Sequence, residues 1–597
     1  MNIYAKRISS LQKLMKQENL NAYIVPTADP HFNEYLPECF NDRVFISGFT
    51  GSAGTLVVLA KSAHLFTDGR YWIQAEKELL GSNIVLEKQS LQHNFISFLS
   101  KVLENEACIG VNDRILSMSF NKELKKQCKK GKFELKYLDL SSKIISPRPP
   151  LPQKEIFEQK IAYQGARVVQ KLRKIRAKMQ ESKANYHFIS SLDDIAYITN
   201  LRGLDIDFNP VFLSFLLIDQ SKASLFVAKD KLSTRLINKL ELQGFTVYKY
   251  EEVDQILAQI EGESILLDPQ KTSVHFANLL KSKNNKLIKA TNPSTLLKAC
   301  KNSKEIKNIK NAMKADAIAL CHFFAWLEKA IKREPKLNEL DIDARLSAFR
   351  ARHPLYICNS FSTIAGFNAN SALPHYRATK NNYSYISKNG LLLIDAGAQY
   401  QNGTTDLTRI APIGRVSSAQ KKDYTLVLKS LIALSTATFP KNIALPLLDS
   451  LARVNLWDFN LDYMHGTGHG VGYFLNVHEA PVGISYFSKL KTHNKAKEGM
   501  ISSIEPGIYR KNKWGIRLEN LVVIVESEKK EREFGEFLRF ETLSLCPFES
   551  LLIDFSMLNE KEKTWLSQYH QKIFKTVSPY LEGSSLNWLK KKIKKFI

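Results

Sequence analysis

The chain has 597 residues, 44% hydrophobic and 24% charged, so it is neither disordered nor fibrous, and at about 100 to 200 residues per domain it should hold three or four. Its formal net charge is +26, but the lysines are spread along the chain, so no nucleic-acid partner is expected. Seven cysteines, Cys39, Cys108, Cys128, Cys300, Cys321, Cys358 and Cys546, lie far apart with no C-x-x-C pair, which excludes a disulfide framework or a zinc ribbon.

The N-terminus, Met1-Asn2-Ile3-Tyr4-Ala5-Lys6-Arg7, leads into a polar helix-like stretch with no apolar leader segment. The longest apolar runs, such as 211–218, fall short of the roughly 18 residues of a membrane span, and the expected location is cytoplasmic.

The first 300 residues read as one plan written twice. Each copy opens with a basic amphipathic helix, at 8–16 and at 168–179, followed by a short apolar strand, at 22–25 and 186–189. A second strand follows at 44–48 and at 197–200, then a third at 55–59 and 211–218, then a fourth around 64–66 and 224–227. Strands alternating with helices predict α/β domains. Between the copies, Ser146-Pro147-Arg148-Pro149-Pro150-Leu151-Pro152 is too proline-rich for helix or interior strand and reads as a stiff linker. The expected divisions are 1–147, 153–298 and 299–597.

After Asn302, apolar Ile306, Ile309, Met313, Ala317, Leu320, Phe324, Leu327 and Ile331 recur at three and four residues, which predicts a long helix opening the third domain. Asn302 with Glu305 three residues on suits its N-cap.

Leu391-Leu392-Leu393-Ile394-Asp395-Ala396-Gly397 reads as a buried strand ending in a carboxylate, and 404–410 as its partner, with Gly397 to Gly403 as the turn. Such a hairpin brings Asp395 and Asp406 together, and two adjacent carboxylates among apolar residues call for a cation. A second strand, turn and strand runs through Ile504-Glu505-Pro506-Gly507 and Ile516-Arg517-Leu518-Glu519, where period-two alternation puts Arg517 and Glu519 on one face. Between these pairs stands His465-Gly466-Thr467-Gly468-His469-Gly470, then His478-Glu479. Its glycines do not fit G-x-G-x-x-G, and neither a Walker A sequence nor H-E-x-x-H occurs, so the nucleotide and zincin readings lose support. Glycine around histidine points instead to thin backbone beside a ligand.

Taken together, these pieces resemble the pita-bread metallopeptidases, the family of methionine aminopeptidase, prolidase and aminopeptidase P, whose ligand order Asp, Asp, His, Glu, Glu is matched by Asp395, Asp406, His469, Glu505 and Glu519. The likeness covers the whole length, including Asp68-Gly69-Arg70-Tyr71, Asn209-Pro210-Val211-Phe212 and the tail around Trp565 to Tyr569, in the layout of the long three-domain aminopeptidases for X-Pro peptides. It implies two creatinase-like α/β domains before a catalytic pita-bread domain. It also implies two Mn²⁺ ions bridged by Asp406 and Glu519, and a metal-bridging hydroxide that attacks the peptide bond before proline. Glu505 is then the proton shuttle, His375 and His478 steady the reacting carbonyls, and His465 is a further substrate-side histidine. Arg517 supports a metal carboxylate, and Arg70 reaches toward substrate in a homodimer. The competing readings are a prolidase restricted to X-Pro dipeptides and, in a different class, a non-catalytic pita-bread protein that binds histones or RNA. The C-terminal Lys590, Lys591, Lys592, Lys594 and Lys595, with Trp588, Ile593 and Phe596, suit either a solvated helix end or a membrane surface.

Overall fold

The computed structural model describes residues 2–90, 92–387, 389–528, 531 and 533–596. The chain forms two compact units, one of Met1–Glu158, Ala166–Asp207 and Val211–Ser294, the other of Gln159–Gly165, Phe208–Pro210 and Thr295–Ile597.

The first unit contains two six-stranded sheets. In one, the strands lie in the spatial order Ile84–Lys88, Ala63–Thr67, Thr55–Leu59, Ala22–Pro26, Cys108–Val111, Glu134–Tyr137. In the other the order is Phe245–Tyr248, Ala223–Val227, Ser214–Ile218, Tyr186–Ile189, Ser264–Leu267, Lys286–Lys289. Parallel and antiparallel pairings fall at the same places in both, so the repeated plan read from the sequence is a repeated topology. Burial on both faces explains the apolar runs: Leu56 and Val58 pack with Ile8, Leu11 and Met15 of the first helix, while Val57 between them packs with Phe95, Leu99 and Leu124 on the opposite side.

Two expected strands are helices. Residues Asp42–Ser47 and Leu192–Thr199 are helical, each closed by a left-handed residue, Gly48 at φ 77° and Asn200 at φ 56°. A short apolar run has no period of its own, and here the glycine or asparagine stop was the better signal. The proline-rich stretch 146–152 has no regular secondary structure and is tied down where Arg148 pairs with Asp42 at 2.8 Å.

In the second unit the predicted helix is Ser303–Arg333, with a capping box between Asn302 and Glu305. Its buried face, including Ala317, Leu320, Phe324 and Leu327, meets Leu391, Leu392, Leu393 and Ile394 in one large core. Each of these leucine, isoleucine and phenylalanine side chains contributes roughly 1.5–3 kcal/mol by leaving water. Gly390–Asp395 is the centre of a three-stranded sheet between Ile364–Phe367 and Thr408–Ile413. A six-stranded sheet holds, in order, Thr438–Pro440, Phe537–Thr542, Asn520–Glu526, Ile501–Ile504, Gly468–Gly470 and Glu479–Ile484.

Two short segments from the N-terminal half complete this unit. Phe208 accepts a hydrogen bond from Gln399 Nε2 at 3.1 Å, and the Tyr163 carbonyl accepts one from the Tyr473 hydroxyl at 2.7 Å. The C-terminal helix Gly583–Ile593 turns Trp588 and Ile593, and the following Phe596, into the core, and Lys592 pairs with Glu328 at 2.9 Å. Those apolar side chains are packed inside the protein, which sets aside the membrane-surface reading of this end. Among the described residues, no helix is long and apolar enough to cross a membrane, and all seven cysteines are free.

Candidate metal centre

Asp395 ends its strand, where its register partner is Thr408, two residues beyond Asp406. The two strands pair antiparallel as expected, but the stretch from Gly397 to Gly403 that joins them is not a single turn. The chain first makes a separate small hairpin, Ala398–Tyr400 with Gly403–Thr404, and Asp406 lies in the strand-free link before Thr408–Ile413. Gly397 is needed at this crossing, since a Cβ there would stand 2.0 Å from the Thr405 carbonyl oxygen.

The glutamate pair also departs from a simple hairpin. Ile501–Ile504 pairs with Asn520–Glu526, whereas Trp514–Arg517 pairs with Gly507–Arg510 in a separate ribbon. Glu505 follows the first strand, and Leu518 and Glu519 occupy the break between Trp514–Arg517 and Asn520–Glu526. His469 sits in Gly468–Gly470, where Gly468 and Gly470 are held so close to the Ser503 and Glu479 carbonyls that a Cβ would come within 2.0 and 2.2 Å. Thin backbone is thus required here, as the sequence suggested.

These turns converge. Ligand atoms of Asp406, His469 and Glu519 lie within 4.8 Å of one another. His469 Nε2 is 3.5 Å from Asp406 and 3.3 Å from Glu505 Oε1. His469 Nδ1 donates to the Gly470 carbonyl at 3.0 Å, which fixes the tautomer and turns Nε2 inward. Arg517 Nη2 donates to Asp395 Oδ2, the Thr408 hydroxyl donates to Glu519 Oε2 at 2.8 Å, and the Ser503 hydroxyl donates to Glu505 Oε1 at 3.0 Å.

Four carboxylates in a buried space repel. Burial, opposed by Arg517 and reinforced by Asp406, pushes Asp395 up to about 6. Burial first, then the charges of Asp406, Glu505 and Asp395, lifts Glu519 well above the ordinary carboxylate range, and burial raises Glu505. Burial opposes a charge on His469, but its hydrogen bond to Asp406 and the nearby carboxylates carry it up to about 9. Among the described residues, the buried Asp395 Oδ1 and Glu519 Oε1 have no hydrogen-bond partner. Unpartnered carboxylate oxygens around an imidazole nitrogen fit hard to borderline divalent cations and would not suit a thiolate-seeking metal.

The remaining predicted residues are placed as follows. The His478 ring is solvent-exposed and stands 4.3 Å, edge to face, from His469. His465 Nε2 accepts from the Tyr509 hydroxyl at 2.8 Å, and Tyr509 in turn accepts from Arg517 Nη1 at 2.8 Å. His375 lies on a turn after the 3₁₀ segment Asn368–Ala372, which is held to Trp514–Arg517 by a bond from Gly515 N to the Ser371 hydroxyl at 2.7 Å. Arg70 belongs to the first unit, where it pairs with Asp68 at 2.7 Å.

Three contributors were missed. Tyr509 joins His465 to Arg517, and Thr408 holds Glu519. Glu339, fully buried, accepts from Phe367 N, the Tyr376 hydroxyl and Ser384 N, each at 2.7 Å, and so anchors the turn next to His375. Nothing in local pattern marks these residues, because their partners are distant in sequence.

Residues 307–526 match the model of metallopeptidase family M24, and 536–596 match its C-terminal region. Residues 7–145 and 147–305 each match a creatinase/prolidase N-terminal domain. The chain is 37% identical over 616 residues to Xaa-Pro aminopeptidase 1 of Dictyostelium discoideum, covering 99% of this chain and 96% of that protein. It is 36% identical to aminopeptidase P2 of Arabidopsis thaliana, covering 98% of this chain and 87% of that one. The crystal structure of X-prolyl aminopeptidase from Caenorhabditis elegans, described as a cytosolic enzyme with a dinuclear active site, superposes with a TM-score of 0.94 at 29% identity over 99% of both chains.

Proposed function

The chain belongs to the Xaa-Pro aminopeptidases of metallopeptidase family M24, and from that premise we propose that Asp395, Asp406, His469, Glu505 and Glu519 hold two divalent ions, Mn²⁺ in this reading, for release of the first residue of peptides with proline second. Full-length likeness to aminopeptidases sets aside the X-Pro dipeptidase and the non-catalytic binding protein. The observation that carries the assignment is the convergence of Asp406, His469 and Glu519 with buried carboxylate oxygens that no donor among the described residues meets.

Divalent ions held there would supply Lewis acidity and a water whose pKa is lowered toward about 7. The chain's own groups do the rest. Asp406 and Glu519, with Asp395, His469 and Glu505, would hold the ions, and Arg517 fixes the orientation of Asp395. Glu505, kept protonatable by burial, takes a proton and passes it to the departing proline nitrogen. His478 and His375 stabilise the oxyanion that forms at the scissile carbonyl and steady the carbonyl of the following proline. His465, held by Tyr509, lines the substrate side. Proline's nitrogen carries no hydrogen and its ring fixes φ, so a site shaped for it discriminates strongly against other residues.

A homodimer is part of the proposal. Leu451, Val454 and Trp457, spaced by three on the helix Asp449–Trp457, are 40, 48 and 43% exposed, and Trp457 touches Tyr486, which touches Phe487. Such a contiguous apolar face suits burial against a second copy. A cytosolic location matches the description of the Caenorhabditis elegans relative and the free cysteines.

The test compares X-Pro-Y, X-Ala-Y and acetylated X-Pro-Y peptides before and after chelation. Cleavage of the first alone, lost on chelation and restored by Mn²⁺, is expected. Equal rates on the first two overturn the proline assignment, and full activity without metal overturns the mechanism.

A further inference from the structure

Glu519 lies in the two-residue break between Trp514–Arg517 and Asn520–Glu526, so no strand ladder holds its main chain. Residues 408 and 409 do so instead. Glu519 N–H donates to the Thr408 carbonyl at 3.2 Å, and its own carbonyl accepts from Arg409 Nη1 at 2.6 Å. The Thr408 hydroxyl meets its carboxylate at 2.8 Å.

Arg409 is 3% exposed and satisfied by neutral groups. Nη1 also reaches the Thr408 carbonyl at 2.9 Å, while Nη2 donates to Asn520 Oδ1 at 2.8 Å, the Cys546 carbonyl at 2.8 Å and the Tyr569 hydroxyl at 2.9 Å. Its guanidinium lies 4.3 Å from the centre of the Phe548 ring. Cys546, Phe548 and Tyr569 all come from the stretch that matches the family's C-terminal region. Tyr569 is itself fixed on the helix Glu560–Val577, with its ring stacked on Trp565 at 5.1 Å and its hydroxyl 3.1 Å from the Ser544 and Cys546 carbonyls. A planar guanidinium whose N–H groups donate to fixed neutral acceptors transmits position rather than charge.

We propose that Arg409 and Tyr569 are a positioning pair through which the C-terminal region fixes Glu519 and thereby sets the affinity of the site for its divalent ions. The inference rests on the reading of Glu519 as a ligand. A purely structural role predicts loss of fold or of activity; this role predicts a change in metal affinity that excess metal overcomes.

The test titrates chelator-stripped full-length protein with Mn²⁺ by calorimetry and measures rate against Mn²⁺ concentration, for wild type, Tyr569→Phe and Arg409→Lys. Tyr580→Phe serves as the control, because it removes a C-terminal hydroxyl that meets Lys314 at the surface. Mn²⁺ affinity should fall 10- to 100-fold in the first two variants. Their KM for peptide should be unchanged and their rate should recover at saturating Mn²⁺, while the control behaves as wild type. Folded Tyr569→Phe with wild-type Mn²⁺ affinity, or with a rate that excess Mn²⁺ does not restore, overturns the proposal. Should Arg409→Lys fail to fold, Tyr569→Phe decides alone. Wild-type protein that takes up no Mn²⁺ overturns the ligand reading itself, and is recognised in the unmutated arm.

Discussion

At the scale of single residues, the proposed metal centre stores repulsion that a bound cation would relieve. Glu519 is held above the ordinary carboxylate range, so its ionised form at neutral pH is disfavoured in the fold relative to the open chain. Replacing it by glutamine removes that penalty. The metal-free Glu519→Gln protein should melt about 2–5 °C higher than metal-free wild type, and Mn²⁺ should no longer raise its melting point. A lower melting point than wild type without metal would contradict the repulsion. Asp395, Glu505 and His469 stood out in the sequence because they end or follow an apolar strand or sit between glycines, where a polar side chain has few other reasons to be, whereas Asp406 and Glu519 were picked out by the order of the family's ligands. Thr408 and Tyr376 were not, since their partners lie 111 and 37 positions away along the chain.

At the scale of elements, the strands carrying the site are less regular than their sequence pattern suggests. The run Gly397 to Gly403 hides an extra hairpin, and 514–526 changes sheet at Glu519, and in both places period-two alternation gives no sign of the change. The long helix after Asn302 was legible from cap and period together, whereas 42–47 was too short for either. Support for the His375 turn comes from Glu339 at the start of the helix Glu339–Arg350. Glu339→Ala strands several donors and should cost about 3 kcal/mol or more of stability. Turnover should fall at least tenfold with Mn²⁺ content unchanged, as read by metal analysis beside kcat. Loss of metal together with activity would argue against a local effect. In the first unit, His275 is pushed up to about 9 by the carboxylates of Asp113, 3.8 Å away, and Asp254, hydrogen-bonded at 3.2 Å, against burial and Arg114. A raised imidazole stabilises fully below the ordinary value of about 6.5 and ceases to do so as pH rises through about 9. The melting-point difference between wild type and His275→Gln should therefore shrink steadily from pH 6.5 to 9. A constant difference would show that the charge contributes nothing.

For the whole molecule, the exposed face of Leu451, Val454 and Trp457 makes assembly testable without touching the metal centre. Wild type should scatter light as twice the 68.0 kDa chain mass, and the pair Leu451→Glu with Val454→Glu should scatter as a monomer of normal melting point. A wild type of single mass at micromolar concentration removes the dimer from the proposal. The repeated N-terminal plan was legible because both copies keep the same order of helix and strand. The recruitment of 159–165 and 208–210 into the second unit was not, because nothing in those short segments differs from an ordinary loop.

That recruitment has a consequence for how the chain is made. The Tyr163 carbonyl leaves the ribosome 310 residues before the Tyr473 hydroxyl that will meet it, and Phe208 precedes Gln399 by 191. At about 5–20 residues per second, the first of these gaps lasts about 15 to 60 s. During that interval the N-terminal sheets can close while two of their own segments wait for a partner not yet translated. A fragment whose translation starts at residue 295 never receives those segments, so splitting the gene at that point should yield a catalytic half that needs the N-terminal half supplied in trans.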